Sequence, residues 1–271
     1  MKIGSKAYGG WDKEWEQMTK TVTVRDIVIG GDTPKICVPL VGETLAQIKE
    51  EAEFLKTIDL DLVEWRVDFF DKVEEIEQVK KALVEIRTLL PNTPLIFTFR
   101  SHKEGGNKEI PISYYFQLNK TAAETGMVDI IDVELFNDEQ EVLAIIEKAH
   151  AKNVFVIISN HDFEKTPTKE EIISRLRKAQ ALGGDIPKIA VMPTSAADVL
   201  TLLDATNTMK EQYADRPFIT MSMAGKGVIS RLAGEVFGSA VTFGAAKKAS
   251  APGQVNVKEL RSVLNLLHES L

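Results

Sequence analysis

From residue 35 onward the chain alternates short apolar runs rich in Val, Ile and Phe with longer segments whose apolar positions recur every three or four residues. Eight runs occur, at 35–40, 60–66, 95–100, 128–134, 154–160, 188–192, 218–222 and 240–243. Runs of this length and composition read as strands buried on both faces. The segments 44–55, 76–89, 113–124, 139–150, 169–182, 196–209 and 257–267 read as amphipathic helices, while 228–236 is shorter and less regular. Eight strand-then-helix units predict an α/β fold closed as a (β/α)8 TIM barrel. An open doubly wound sheet uses the same units, but no Gly-x-Gly-x-x-Gly follows the first run and the number of units matches closure. Upstream, Thr21-Val22-Thr23-Val24, Arg25-Asp26 and Ile27-Val28-Ile29, ending in Gly30-Gly31, read as a β-hairpin that closes the barrel bottom. Residues 1–17 are polar and glycine-containing, with Trp11 and Trp15 isolated, and are expected outside the fold. That leaves 18–271 as a single barrel domain.

In a barrel, chemistry sits at the C-terminal ends of the strands. The second run ends in Glu64-Trp65-Arg66-Val67-Asp68, where alternation sends Glu64, Arg66 and Asp68 to one face. The third ends in Thr98-Phe99-Arg100, followed by Ser101-His102-Lys103-Glu104-Gly105-Gly106, and the fourth carries Asp132 and Glu134. These charges suit either a salt-linked layer filling the barrel or a substrate site, or both at adjacent levels. Lys188 stands in an apolar run between Pro187 and Pro193, where desolvating an ammonium ion costs several kcal/mol. Either its head reaches water at the strand mouth, or it is an amine whose pKa falls from about 10.4, able to attack a carbonyl and form a Schiff base. Among the four histidines, His150 and His268 fall on helices and His102 in a loop; His161 follows the fifth strand, one strand from Lys188, where a proton carrier is needed. Arg231, beside glycines, suits a carboxylate clamp or a helix cap. The stretch Lys247 to Gln254 has the small residues of a lid, and Met221 and Met223 suit packing against a reacting group.

Composition narrows the partners. With 44% hydrophobic and 27% charged residues the chain supports an ordinary globular core. A net charge of -7 and a pI near 5.3 argue against nucleic-acid or anionic-membrane partners, so an anionic substrate must meet a local basic site. The single cysteine, Cys37, rules out an internal disulfide and a cysteine-built metal site. No apolar stretch approaches a membrane span, and Met1 to Lys6 lack a signal-peptide core, so a cytoplasmic protein is expected.

Five motifs, in order, carry a resemblance. Glu64-Trp65-Arg66-Val67-Asp68, Thr98-Phe99-Arg100-Ser101 with Glu104-Gly105-Gly106, Ser159-Asn160-His161-Asp162-Phe163, Pro187-Lys188-Ile189-Ala190 and Ser250-Ala251-Pro252-Gly253-Gln254 resemble the type I 3-dehydroquinate dehydratases, the third enzyme of the shikimate pathway. The likeness runs from about Met18 to Leu267 without large insertions. It implies a hydro-lyase of aromatic amino acid and chorismate biosynthesis that converts 3-dehydroquinate to 3-dehydroshikimate through an imine on Lys188. His161 is then the general base and acid, and Glu104 the carboxylate that orients it. Arg231 pairs with the substrate carboxylate, Ser250 and Gln254 close over it, and Glu64, Arg66 and Arg100 hold the ring hydroxyls. Arg66, Arg100 and Arg231 are expected to favour a neutral Lys188, opposed by Glu64 and Glu104. The resemblance further implies a homodimer, no cofactor and no metal, and leaves no room for a fused shikimate dehydrogenase domain. It departs at Pro39, where some relatives carry a hydroxyl residue.

Two other readings stay open. A class I aldolase-type barrel also has a Schiff-base lysine on its sixth strand, although Pro252 makes the 250–253 loop a poor phosphate cradle. A non-catalytic sensor of a shikimate-pathway metabolite would bind without turnover.

Overall fold

The computed structural model describes residues 20–246 and 251–271, so the expected N-terminal extension and Ser250 lie outside the described residues. A hairpin of β1 (Val22–Val24) and β2 (Ile27–Ile29) turns at Arg25, whose φ is 54°. Eight parallel strands then follow: β3 (Lys35–Leu40), β4 (Leu62–Arg66), β5 (Leu95–Thr98), β6 (Ile130–Glu134), β7 (Phe155–Asp162), β8 (Ile186–Val191), β9 (Ile219–Ser222) and β10 (Val241–Ala245). From β3 to β9 each pairs with the next, and β10 pairs back onto β3. A two-residue strand, β11 (Val255–Asn256), extends alongside β10 and was not expected from the sequence pattern.

Six helices of the outer layer match the expected amphipathic segments: α1 (Leu45–Leu55), α2 (Ile76–Leu89), α3 (Ile112–Glu124), α4 (Glu139–His150), α5 (Lys169–Ala181) and α6 (Ala196–Gln212). Their starts are chemically marked. Thr44 with Gln47, and Ser195 with Asp198, form reciprocal capping boxes that satisfy backbone N–H groups of the first turn. The irregular segment after β9 resolves into two short helices, α7 (Val228–Leu232) and α8 (Gly234–Phe237), and α9 (Val257–His268) ends the chain.

Alternation along the strands divides the core. Outward residues such as Trp65, Phe97, Val133 and Val156 pack under the helices, with Trp65 and Phe97 in edge contact at 5.7 Å between ring centres. Inward residues form an apolar floor of Cys37, Leu62, Ile96, Ile130, Ile157, Ile186 and Ile219, joined from below by Val22, Val24 and Ile29 of the hairpin. The hairpin therefore closes the bottom, as its pattern predicts.

Closure is uneven. Between β9 and β10 the only ladder pairing among the described residues is a single parallel bridge, Phe218 to Ser239. The Ser239 hydroxyl completes the seam, accepting from Thr220 N at 3.0 Å and donating to Thr220 O at 3.2 Å. A side chain here replaces strand pairing, and the adjoining helices are the short ones.

Candidate active site

Above the apolar floor the inward side chains are charged. Lys188 projects from the middle of β8 and is 5% exposed. Its Nζ lies 3.1 Å from Asp132 Oδ2 and 3.6 Å from Glu64 Oε1, and sits 4.5 Å from the centre of the Phe243 ring. Its closest charged partners are thus two carboxylates: Glu64, expected to oppose a neutral Lys188, and Asp132, which was not expected beside it. The mouth-exposed alternative for this lysine is also corrected, because head and stem are both buried.

Asp132 is the hub of this layer. It accepts from Lys188, from Arg100 Nη2 at 2.7 Å and from Ser159 Oγ at 2.6 Å. Burial alone raises a carboxyl pKa, yet Arg100, Lys188 and these hydrogen bonds bring Asp132 down to about 2. Arg100 also donates to Glu134 and to Ser159, each at 2.9 Å. Arg66 forms a two-pronged pair with Asp68 at 2.8 Å for each contact and lies 5.1 Å from the centre of the Phe69 ring. Thr98 Oγ1 donates to Glu64 at 2.9 Å.

Glu104 reaches the site from the short turn His102–Glu104 after β5. Two glycines shape the return. Gly105 has φ 82°, and any Cβ there would strike the Phe163 ring; one at Gly106 would strike the Arg100 carbonyl. So placed, Glu104 Oε2 meets His161 Nδ1 at 2.9 Å and accepts the His161 backbone N–H at 3.0 Å. Asn160 Nδ2 donates to its other oxygen at 3.2 Å. Burial, with Arg100, Lys188 and Arg66 adding to it, holds His161 well below the ordinary imidazole range. Burial and Glu134 push Glu104 up to about 8, against Arg100 and the Asn160 hydrogen bond. His161 is therefore a neutral imidazole at neutral pH. With Nδ1 facing Glu104, Nε2 is the ring nitrogen left for the cavity.

That cavity is lined by Lys188, His161, Glu104, Glu64, Arg66, Arg100, Arg231 and Gln254, with Met221, Met223, Phe163 and Phe243 as apolar walls. Arg231 rises from α7 into the opposite side and is 2% exposed. Its contacts are Met221 Sδ at 3.6 Å and the Pro252 carbonyl at 3.1 Å; Nε has no partner and no carboxylate pairs with it among the described residues. Burial lowers its pKa to about 10, which still leaves it a cation at neutral pH.

The model of the family described as type I 3-dehydroquinase matches residues 36–271. The chain belongs to the type I 3-dehydroquinase family. It is 65% identical to the 3-dehydroquinate dehydratase of Bacillus licheniformis over 254 residues, covering 94% of this chain and 100% of that one. To the 3-dehydroquinate dehydratase of Listeria innocua it is 66% identical over 248 residues, covering 92% and 98%. A crystal structure of the type I 3-dehydroquinate dehydratase of Clostridium difficile with covalent modified comenic acid superimposes with a TM-score of 0.91 at 59% identity, covering 94% and 100%. Family membership makes the chain a hydro-lyase of the shikimate pathway, acting on 3-dehydroquinate.

Eight of the nine site residues expected from the sequence line the one cavity: Lys188, His161, Glu104, Glu64, Arg66, Arg100, Arg231 and Gln254. Ser250 lies outside the described residues. His150 and His268 are exposed and paired with Asp185 and Glu235, away from the site. Pro39 is buried on β3 in register with Glu64. Three further residues join the site without having been assigned to it. Asp132 was legible as an inward charge, and its β6 alternation with Glu134 could have flagged it. Ser159 shares a register position with Lys188, and Phe243 lies across the barrel from any local signal.

Proposed function

We propose that Lys188 is the nucleophile of the dehydration and that His161 carries its protons. One observation supports this above the others: a buried amine, a neutral imidazole backed by the Glu104 carboxyl, and a guanidinium with no carboxylate partner among the described residues all face the same cavity. Lys188 passes its ammonium proton to His161 and adds to the C3 carbonyl of 3-dehydroquinate; that proton then returns to the carbinolamine oxygen, which leaves as water to give a protonated imine. Asp132, ionised beside Lys188, then faces that cation, and so does the Phe243 ring. Because the imine draws electrons from C2, His161 Nε2 can remove the C2 proton, leaving an enamine. Its electron pair expels the C1 hydroxyl, which takes the proton back from His161 and departs as water. A last water adds to the product imine, releasing 3-dehydroshikimate and the free amine.

Glu104 orients His161 and disperses the charge the ring gains. Arg231 takes the substrate carboxylate, Gln254 and Ser250 close over it, and Glu64, Arg66 and Arg100 meet the ring hydroxyls. The reading needs no cofactor and no metal. It is completed by a single catalytic domain over 18–271, with 1–17 outside it, working as a cytoplasmic homodimer without a nucleic-acid partner. Family resemblance supports the dimer, and the net charge of -7 supports the absence of nucleic acid. Among the described residues no helix is long and apolar enough to cross a membrane.

Turnover of 3-dehydroquinate by the parent protein, by Lys188→Met and by His161→Ala tests these roles. The parent is expected to release 3-dehydroshikimate, Lys188→Met to lose at least ~10⁴-fold in kcat, and His161→Ala to lose ~10²–10⁴-fold while still forming an imine that borohydride can reduce. Binding without turnover by the parent would point to the sensor reading, and turnover by Lys188→Met would remove the lysine from the mechanism.

A further inference from the structure

Alternation along β7 turns Ser159 and His161 into the barrel and the residue between them, Asn160, toward α5. Asn160 is buried and both ends of its amide are committed. Nδ2 donates to Glu104 Oε1 at 3.2 Å, and Oδ1 accepts from Arg175 Nη1 at 2.8 Å. A guanidinium can only donate and a carboxylate only accept, so the two contacts together dictate which way the amide faces. Flipped, it would set oxygen against carboxylate and N–H against guanidinium. Arg175 is itself fixed: Nε donates to Glu171 Oε1 at 2.8 Å, Asp162 Oδ2 lies 3.7 Å away, and the guanidinium stands 5.4 Å from the centre of the Phe136 ring. A chain of polar contacts thus runs from the outer helix through Asn160 and Glu104 to His161 Nδ1.

We propose that Arg175, acting through Asn160, is a positioning residue for proton transfer: it holds the Asn160 N–H toward Glu104, favouring the ionised carboxylate and the His161 tautomer whose Nε2 accepts a proton. The inference rests on the reading of His161 and Glu104 as the proton-transferring pair. The other charges facing that pair are Arg66 from β4, Arg100 after β5, Asp132 and Glu134 from β6 and Lys188 from β8, while Asp162 from β7 faces Arg175. Of these, Asp132 and Glu134 oppose ionisation of Glu104 and Arg100 favours it. Removing the amide donor weakens the favourable side, so the pair protonates at higher pH.

The test compares the full-length parent with Arg175→Met, Arg175→Lys and Asn160→Ala, reading kcat/KM against pH, the isotope effect of C2-deuterated 3-dehydroquinate and the borohydride-trapped adduct on Lys188. For Arg175→Met we expect adduct at the parent level, kcat lower by ~10-fold, a larger isotope effect, and an acid limb displaced upward by about half a pH unit or more. Arg175→Lys, which keeps the charge and a donor, restores most of the loss, and Asn160→Ala reproduces the displaced limb. A uniform loss at every pH with the limb in place, or identical behaviour of the Met and Lys variants, overturns the inference. Separately, His161→Ala removing the C2 proton at the parent's rate would overturn the underlying reading, whatever Arg175 does.

Discussion

The two sides of the barrel mouth handle charge in opposite ways. On the side built by β4 to β8, Arg66 is paired with Asp68, Arg100 with Asp132 and Glu134, Lys188 with Asp132 and Glu64, and His161 with Glu104. On the side built by β9, α7 and β10, Arg231 stands among Met221, Met223 and Phe243 with a thioether and a carbonyl as its contacts among the described residues. The first side is organised before any ligand arrives, so the groups proposed to react are already held in place. The second is incomplete, and a ligand carboxylate would complete it. A buried cation without a counter-ion is costly, and binding relieves that cost.

Exchanging the two arginines tests this contrast. Arg100→Leu strands Glu134 and leaves Asp132 with Lys188 as its remaining cation, so chemical denaturation should show a loss of ~3–5 kcal/mol. Arg231→Leu strands no described carboxylate. Its stability should stay within ~1 kcal/mol of the parent, while KM for 3-dehydroquinate rises ~10–100-fold for want of a charged hydrogen-bonding partner. Equal destabilisation by both variants would erase the distinction between the sides.

A finer probe asks whether the organised side includes its proton-transferring pair. Glu104 has a folded-state pKa raised from 4.5 to about 8, so its favourable contribution to stability is complete below the unfolded value and is lost as pH rises through about 8. Glu104→Gln has no such proton to lose. Whatever constant offset separates the two proteins, the parent should gain on the variant, by on the order of 1 kcal/mol or more, as pH falls across that window. His161 contributes in the opposite sense, since its depressed pKa gives stability above 6.5 that is lost as pH falls through the lower folded value. Urea unfolding at several pH values reads the difference; a gap independent of pH would mean that Glu104 titrates as in water.

Much of this was legible in one sequence because face and order are local properties. Apolar runs and helical spacing gave eight units, and alternation turned Glu64, Arg66, Asp132 and Glu134 inward. Lys188 in its apolar run left a mouth-exposed and a buried reading open, and the five ordered motifs pointed to the buried one. What remained hidden depends on distance across the barrel. Alternation says that Asp132 and Lys188 both point inward, but not that closure brings them to 3.1 Å while leaving Arg231 without a described carboxylate. The weak seam between β9 and β10 escaped because Ser239 replaces strand pairing by side-chain bonds, which leave no periodic trace. Likewise, Arg175 lies on a helix whose pattern reads only as amphipathic, and its link to Asn160 appears once α5 packs on β7.

The most direct test of the central claim is the intact mass of the full-length protein after borohydride reduction with 3-dehydroquinate, followed by peptide mapping. The account predicts one covalent adduct, on the peptide that contains Lys188. An adduct on any other lysine, or turnover with no adduct at all, would contradict it.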